Sequence, residues 1–189
     1  MPPAVAPAVA ASRPLLARAA IALALTLVLA LSARIQVPFW PVPMTMQTLA
    51  VLTIAGLAGP QLAGAAMLGY LVEGAAGLPV FAGTPTHGVG LAYLAGPTGG
   101  YLVGMLVASV VVGAAVRRAG THPLRVGAAM LIGTVIIYAA GAGWLAGLIG
   151  PERAWDAGVL PFLLGDAVKA TLAAALVLAL GRPAGRAAE

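Results

Sequence analysis

The sequence predicts an all-α integral membrane protein with six transmembrane helices. Of the 189 residues, 61% are hydrophobic and only 8% are charged, whereas a soluble domain carries about 25% charged residues. The apolar residues form six runs that are separated by segments rich in Gly, Pro or Arg. So few charges cannot cover a water-exposed surface, so this composition excludes a soluble enzyme and a disordered chain.

Each expected helix is an apolar run with a recognisable break after it. Pro38, Pro41 and Pro43 separate the first run from the second, because proline does not fit a helix interior. Gly59 and Pro60 separate the second run from the third. The six helices are expected at about 15–32, 46–58, 61–72, 101–116, 124–148 and 160–180.

The later runs are separated by longer connections. A connector rich in Gly, Pro and Thr begins at Glu73, which is expected to be solvated, and continues to about residue 98. Three arginines bracket a short loop after the fourth run, and the polar segment 151–156 is expected to be a loop. The predicted organisation is a flexible tail at 1–14, a transmembrane substrate-binding domain at 15–182 and a C-terminal tail at 183–189.

The arginines predict that both termini are cytoplasmic. With the N-terminus inside, the outer loops hold only Arg34 and Arg153. The inner segments then hold Arg13, Arg18, Arg117, Arg118, Arg125, Arg182 and Arg186. Because cytoplasmic loops carry an excess of basic residues, this bias sets the orientation. The Pro-rich loop, the connector and the 151–156 segment then share the outer face, where we expect the working site to open.

Two ionisable residues, Asp166 and Lys169, lie inside the sixth apolar run. Charged groups at membrane depth cost about 2.5–3.5 kcal/mol on insertion scales, and they face a protein interior or a cavity. At positions i and i+3 the two side chains project from one helix face. They could form a self-neutralising pair that only fixes the helix, or a proton relay. The pair equally suits a neutral ligand that needs one acceptor and one donor, and we expect a substrate site.

Other candidate site residues lie in or beside the outer loops. Gln47 is close to the free N–H groups at the start of the second helix, although Thr45 could simply cap that helix. Trp40 and Phe81 could form a lid or anchor the membrane interface. Tyr93 could donate a hydrogen bond to a ligand or belong to an aromatic belt.

A pair of small residues marks one face of the first helix. Ala20 and Ala24 are four positions apart, and small residues at this spacing let two helices approach closely. This face could serve internal packing or contact with a partner subunit.

Several classes of function lack the residues that they need. The sequence has no GxxxxGK[ST] phosphate-binding loop, no HExxH zinc motif and no GxSxG nucleophile elbow. It has no cysteine, and no cluster of Asp, Glu and His indicates a metal site. The basic residues are thinly spread, so the net charge of +5 is not a nucleic-acid signal. We therefore expect binding and transport, with no catalytic residue, metal or cofactor.

Four segments, in order along the chain, resemble signatures of the BioY family, the biotin-specific S-components of energy-coupling-factor (ECF) transporters. They are VPFWPVPMTMQT at 37–48, YLVEGAAGLPVFAG at 70–83, GPTGGYL at 96–102 and GDAVK at 165–169. The resemblance covers about residues 15–182. One departure is Thr84, where many members have Gly, and it concerns only the local shape of the loop.

The resemblance implies a six-helix protein of the bacterial or archaeal cytoplasmic membrane, with biotin as its transported substrate. The Pro-rich first loop would cap the pocket, and Asp166 and Lys169 would contact the ureido ring of biotin. Gln47, Trp40, Phe81 and Tyr93 would line or close the pocket.

The resemblance also implies partners: a transmembrane coupling subunit, docked on the face of Ala20 and Ala24, and a pair of cytoplasmic ATPases. Two alternatives remain open from the residues themselves. The chain could be a self-sufficient biotin carrier, proton-coupled through Asp166, or it could be a membrane enzyme or assembly factor.

Overall fold

The computed structural model describes residues 15–37, 40–86 and 88–181. Its helices are α1 (Leu15–Arg34), α2 (Gln47–Ala75), α3 (Leu91–Leu94), α4 (Gly99–Ala119), α5 (Pro123–Ile149), α6 (Pro151–Gly158) and α7 (Leu163–Leu180). Two short strands, β1 (Gln36–Val37) and β2 (Met44–Thr45), pair antiparallel, and a 3-10 turn (Leu160–Phe162) leads into α7. The tails expected at 1–14 and 183–189 lie outside the described residues.

Five segments of the described chain are long and apolar enough to cross a membrane. They are α1, α2, α4, α5 and the continuous stretch from α6 to the end of α7, with mean hydropathies from 1.5 to 2.2. The expectation of an all-helical, multi-pass membrane protein is therefore confirmed.

Helix α2 is a helical hairpin. At its centre Gly59 has φ 78° and ψ 170°, a backbone conformation that favours glycine, and Pro60 begins the second arm. The side chain of Gln47 lies next to that of Tyr70, although 23 positions separate them. On a straight helix that separation would be about 35 Å. The two arms, 47–58 and 60–75, correspond to the second and third expected helices.

The bundle has two chemically different ends. The end that we call the site end carries the β1–β2 hairpin, the connector at 76–98 and α6. There Nη1 of Arg34 donates a hydrogen bond to the carbonyl oxygen of Thr84 at 2.9 Å, which ties the end of α1 to the connector. The opposite end, which we call the arginine end, carries the start of α1, the Gly59–Pro60 turn and residues 117–125.

Helix α4 is the central helix and packs against both α5 and α2. Its glycines make this close approach possible. A Cβ atom on Gly104 would lie 2.9 Å from Cα of Ile137, and one on Gly113 would lie 2.6 Å from the nitrogen of Pro60. Helix α1 is peripheral, since only 17% of its apolar window is buried.

Two expectations from the sequence are wrong. The polar segment 151–156 belongs to α6, because Pro151 fits the first helical position and Glu152 complements the dipole of the first turn. Glu73 is half-buried, and its Oε1 accepts a hydrogen bond of 2.8 Å from Oγ1 of Thr26 on α1. A packed helix end, and not open solvent, therefore satisfies this carboxylate.

Candidate ligand-binding site

Asp166 and Lys169 lie one turn apart at the start of α7. The Nζ atom of Lys169 is 2.8 Å from Oδ1 of Asp166, and each residue is only 7% exposed. Because α7 begins at Leu163, Asp166 lies in the first helical turn, where free N–H groups favour a negative charge. The two opposite charges thus form a buried ion pair on a single helix face.

The carboxylate of Asp166 is held by three donors from three helices. Oδ1 accepts hydrogen bonds from Oγ1 of Thr48 on α2, at 2.9 Å, and from Nζ of Lys169. Oδ2 accepts one from the hydroxyl of Tyr138 on α5, at 2.7 Å. Each carboxylate oxygen has two acceptor positions. Within the described structure Oδ2 therefore keeps one position that a ligand N–H group can use.

The ammonium group of Lys169 connects α7 to the β1–β2 hairpin. Besides its bond to Asp166, Nζ donates to the carbonyl oxygen of Thr45 on β2 at 2.7 Å. An ammonium group has three donors, so the contacts in the described part of the chain leave one donor for a ligand. The pair therefore offers one acceptor and one donor side by side.

These groups face a small, partly open cavity at the site end with a volume of about 60 Å³. Pockets for small ligands are mostly apolar, with a few convergent polar groups. The wall follows that pattern, since the ion pair lies at one side of a largely apolar lining. The apolar part includes Val42, Met44, Leu102, Met105, Ile137 and Phe162.

The structure places Gln47 and Tyr93 in the same cavity wall as the ion pair. Gln47 is 3% exposed, and its buried Nε2 atom has no hydrogen-bond partner within the described residues. A buried donor without a partner costs about 1–3 kcal/mol. This amide is therefore a donor that a ligand could satisfy, and simple helix capping does not account for it.

Phe81 lies directly behind Tyr93 and is not itself part of the cavity wall. Its ring is fully buried and stacks on that of Tyr93 at a centroid distance of 4.8 Å, with Tyr70 packed edge-on at 5.3 Å. The hydroxyl of Tyr93 donates to the carbonyl oxygen of Ala82 at 2.9 Å. Burial raises the pKa of Tyr93, with an opposing contribution from Thr98, so the hydroxyl stays neutral.

Trp40 and the two alanines of α1 are exposed. The side chain of Trp40 is 85% exposed on the β1–β2 hairpin and does not contribute to the cavity wall. Ala20 and Ala24 lie on the outward face of α1. The structure thus brings four of the six expected ligand-site residues close together: Asp166, Lys169, Gln47 and Tyr93.

Tyr138 is a site residue that sequence reasoning missed. It is a lone tyrosine in a strongly apolar helix, and its spacing from Asp166 predicts no contact. The available signal was that a buried phenol needs a hydrogen-bond partner, which Asp166 provides. Tyr101 also lines the cavity, but its hydroxyl donates to the carbonyl oxygen of Gly158 at 2.7 Å.

Comparison with known proteins gives consistent matches. The model of the BioY family matches residues 6–186. The probable biotin transporter BioY of Pyrococcus horikoshii is 38% identical over 141 residues, which cover 75% of this chain and 82% of that protein. The biotin transporter BioY of Thermotoga maritima is 35% identical over 156 residues, 82% of this chain and 90% of that one.

A solved structure has the same fold. The crystal structure of the S-component for biotin from an ECF-type ABC transporter superposes with a TM-score of 0.76. The match covers 87% of this chain and 90% of that one, at 24% sequence identity.

Proposed function

This chain belongs to the BioY family, and we propose that it captures biotin for uptake, as the substrate-binding S-component of an ECF-type transporter. Two relatives, 38% and 35% identical to it over the aligned residues, are named as a probable biotin transporter and a biotin transporter. The activity is binding and translocation, not catalysis. The observation that carries the proposal is the buried Asp166–Lys169 pair in the wall of the cavity.

The ureido ring of biotin matches the two unused positions of this pair. The ring carries N–H donors and a carbonyl acceptor. One N–H group bonds to the remaining acceptor position on Oδ2 of Asp166, and the carbonyl oxygen accepts the remaining proton of Lys169. Thr48 and Tyr138 hold the carboxylate in place. The free donor of Gln47 satisfies a further acceptor on the ligand.

The aromatic residues shape the rest of the pocket. Tyr93 forms part of the cavity wall, and Phe81 packs behind Tyr93 and holds its ring in place. Trp40 lies on the same hairpin that Lys169 holds through Thr45. We propose that Trp40 turns from its exposed position to cover bound biotin, because an apolar ring gains by leaving water.

The proposed topology is six crossings of the cytoplasmic membrane with both termini inside. The two arms of α2 supply the second and third crossings. The orientation rests on the arginine bias, since Arg18, Arg117, Arg118 and Arg125 all lie at the arginine end. The cavity then opens outside, where biotin is captured.

The energy for transport comes from separate subunits. The sequence has no phosphate-binding loop of its own, so ATP hydrolysis is assigned to a cytoplasmic ATPase pair joined through a transmembrane coupling subunit. The exposed face of Ala20 and Ala24 supports docking of that subunit, because small residues let a partner helix approach closely.

Equilibrium binding of biotin to the purified protein tests the proposed site. A hydrogen bond to a charged group contributes about 1.5–3 kcal/mol, so Asp166→Asn and Lys169→Ala should each weaken binding about 10- to 150-fold. The control is Thr171→Ala, because Thr171 is on α7 but faces away from the cavity. Thermal denaturation shows whether each variant is folded. Folded variants of both residues that bind like the parent would contradict the assignment.

The alternative of a self-sufficient carrier rests on one observation, the burial of an ionisable carboxylate at Asp166. It predicts biotin uptake by the reconstituted chain alone in response to a pH gradient. Uptake that requires ATP and the partner subunits excludes this alternative and leaves the binding site unchanged.

A further inference from the structure

A second concave surface lies at the arginine end, on the outside of the bundle. It is a groove between the second arm of α2 and α4, and it is separate from the biotin cavity. Its floor and sides are formed by Gln61, Gly64, Leu68, Val110, Ala114 and Arg117.

The groove has the shape and polarity to hold a hydrocarbon chain. Gly64 and Ala114 are small, and a Cβ atom on Gly64 would already lie 2.9 Å from the side chain of Val110. Leu68 and Val110 are 52% and 44% exposed and form apolar edges. The groove therefore faces the lipid along its length, and it is polar only at the arginine end.

The polar end of the groove carries an uncompensated positive charge. Nη1 of Arg117 donates to Oε1 of Gln61 at 3.3 Å, and a guanidinium group has four further N–H donors. The only ion pair among the described residues joins Asp166 and Lys169 at the site end. No described carboxylate therefore lies within 4.0 Å of Arg117. Arg118, next along the chain, is exposed outside the groove.

The described carboxylates are all far from this end. Glu73 ends the second arm of α2, Glu152 and Asp156 lie on α6, and Asp166 lies in the first turn of α7. All four belong to the site end. Protein groups of the described chain therefore do not neutralise the arginine end, and an anionic ligand is complementary to it.

We propose that this groove is a binding site for an anionic glycerophospholipid. The phosphate accepts hydrogen bonds from Arg117 and from the amide of Gln61, and one acyl chain lies along Gly64 and Ala114 between the two helices. Basic pockets between transmembrane helices bind acidic headgroups for the same electrostatic reason. The site is independent of biotin binding, because none of its residues lines the biotin cavity.

Native mass spectrometry of the detergent-solubilised chain tests the proposal. Phosphatidylglycerol and phosphatidylcholine are added at equal concentration, and retained lipid is counted per protein. The parent protein should retain more phosphatidylglycerol than phosphatidylcholine. Arg117→Gln should lower its retention about fivefold. Arg118→Gln removes the same charge outside the groove and should leave retention close to that of the parent.

A steric variant separates the groove from general surface charge. Ala65 lines the groove and is exposed, so Ala65→Phe should fill the space and lower retention while every arginine is kept. Biotin affinity should stay at the parent value in all three variants, which shows that they are folded.

Three results would overturn the proposal. Equal loss in the Arg117 and Arg118 variants would show non-specific attraction. Equal retention of the two lipids by the parent would show that the groove does not select an anionic headgroup. If Ala65→Phe blocks assembly with the coupling subunit while lipid retention is unchanged, the occupant is a protein helix.

Discussion

The hydroxyl of Tyr138 lies 2.7 Å from Oδ2 of Asp166, and 28 positions of sequence separate the two residues. This bond joins α5 to α7 beside the cavity. It fixes the plane of the carboxylate and takes one of the two acceptor positions on Oδ2. The free position, and so the direction from which a ligand N–H group can approach, is set by a residue on another helix.

Tyr138→Phe should weaken biotin binding about tenfold and lower the thermal midpoint. The ring stays in place, but Asp166 loses a donor to a charged acceptor, and such a bond contributes about 1.5–3 kcal/mol. Isothermal titration calorimetry and thermal denaturation measure the two effects.

Tyr101→Phe is the matched control for Tyr138→Phe. The ring of Tyr101 also lines the cavity, but its hydroxyl bonds to Gly158 and not to Asp166. Tyr101→Phe should lower the thermal midpoint with little change in biotin affinity. Equal affinity losses in the two variants would show that the effect does not depend on the hydrogen bond from Tyr138 to Asp166.

Gln47→Met should raise the stability of the protein without biotin and lower its affinity for biotin. The variant removes a buried donor that has no partner, and leaving such a donor unpaired costs about 1–3 kcal/mol. Tyr70 keeps the carbonyl oxygen of Val80 as its acceptor. Thermal midpoints with and without saturating biotin give both effects in one experiment.

Thr53→Val provides the comparison for Gln47→Met. The hydroxyl of Thr53 is also buried without a partner, but Thr53 does not line the cavity. This variant should gain stability and keep its affinity. A Gln47→Met protein that binds biotin normally would mean that the amide does not contact the ligand.

Gly74→Ala should weaken biotin binding from a position outside the cavity. A Cβ atom there would overlap the ring of Phe81, which must then shift and carry Tyr93 with it. Overpacking of this kind costs about 1–3 kcal/mol. Gly143→Ala adds the same methyl group to α5 where no atom lies within 4 Å, and it should be neutral. Unchanged biotin affinity in the Gly74 variant would show that Phe81 does not determine the shape of the pocket.

Trp40 should leave water when biotin binds. Its indole is 85% exposed, so closure of the hairpin should shift the tryptophan emission of the protein to shorter wavelength. Trp40→Phe should remove most of this shift. Trp144→Phe should keep it, because Trp144 is held on α5 by the carbonyl oxygen of Gly96. A full shift in the Trp40 variant would assign the change to another tryptophan.

The fold was predictable where one local rule decides the structure. Apolar runs and proline breaks located the membrane helices, and Gly59-Pro60 marked the turn of α2 because few other residue pairs both end and restart a helix. The prediction was wrong for the segment that follows α5. The charges of Glu152 and Asp156 suggested a loop, whereas Pro151 in fact begins a helix at the surface.

Apart from the family resemblance, only the two charged residues of the candidate site could be predicted from the sequence. Asp166 and Lys169 stood out because charges are rare in apolar runs. Tyr138 and Thr48 did not, because their role depends on contacts between helices that are far apart in sequence. The positions of Phe81 behind Tyr93 and of Trp40 in solvent likewise follow from the folding of loops, which no local pattern encodes.

The turn of α2 also constrains the order in which the protein can be completed during synthesis. Gly59 and Pro60 are buried, and the helix that shields their irregular backbone is α4, at Gly113. The backbone N–H and C=O groups of a buried irregular turn need hydrogen-bond partners or protein cover. The ribosome makes residue 113 well after residue 60. The two arms of α2 therefore lack this neighbouring helix until α4 has entered the membrane.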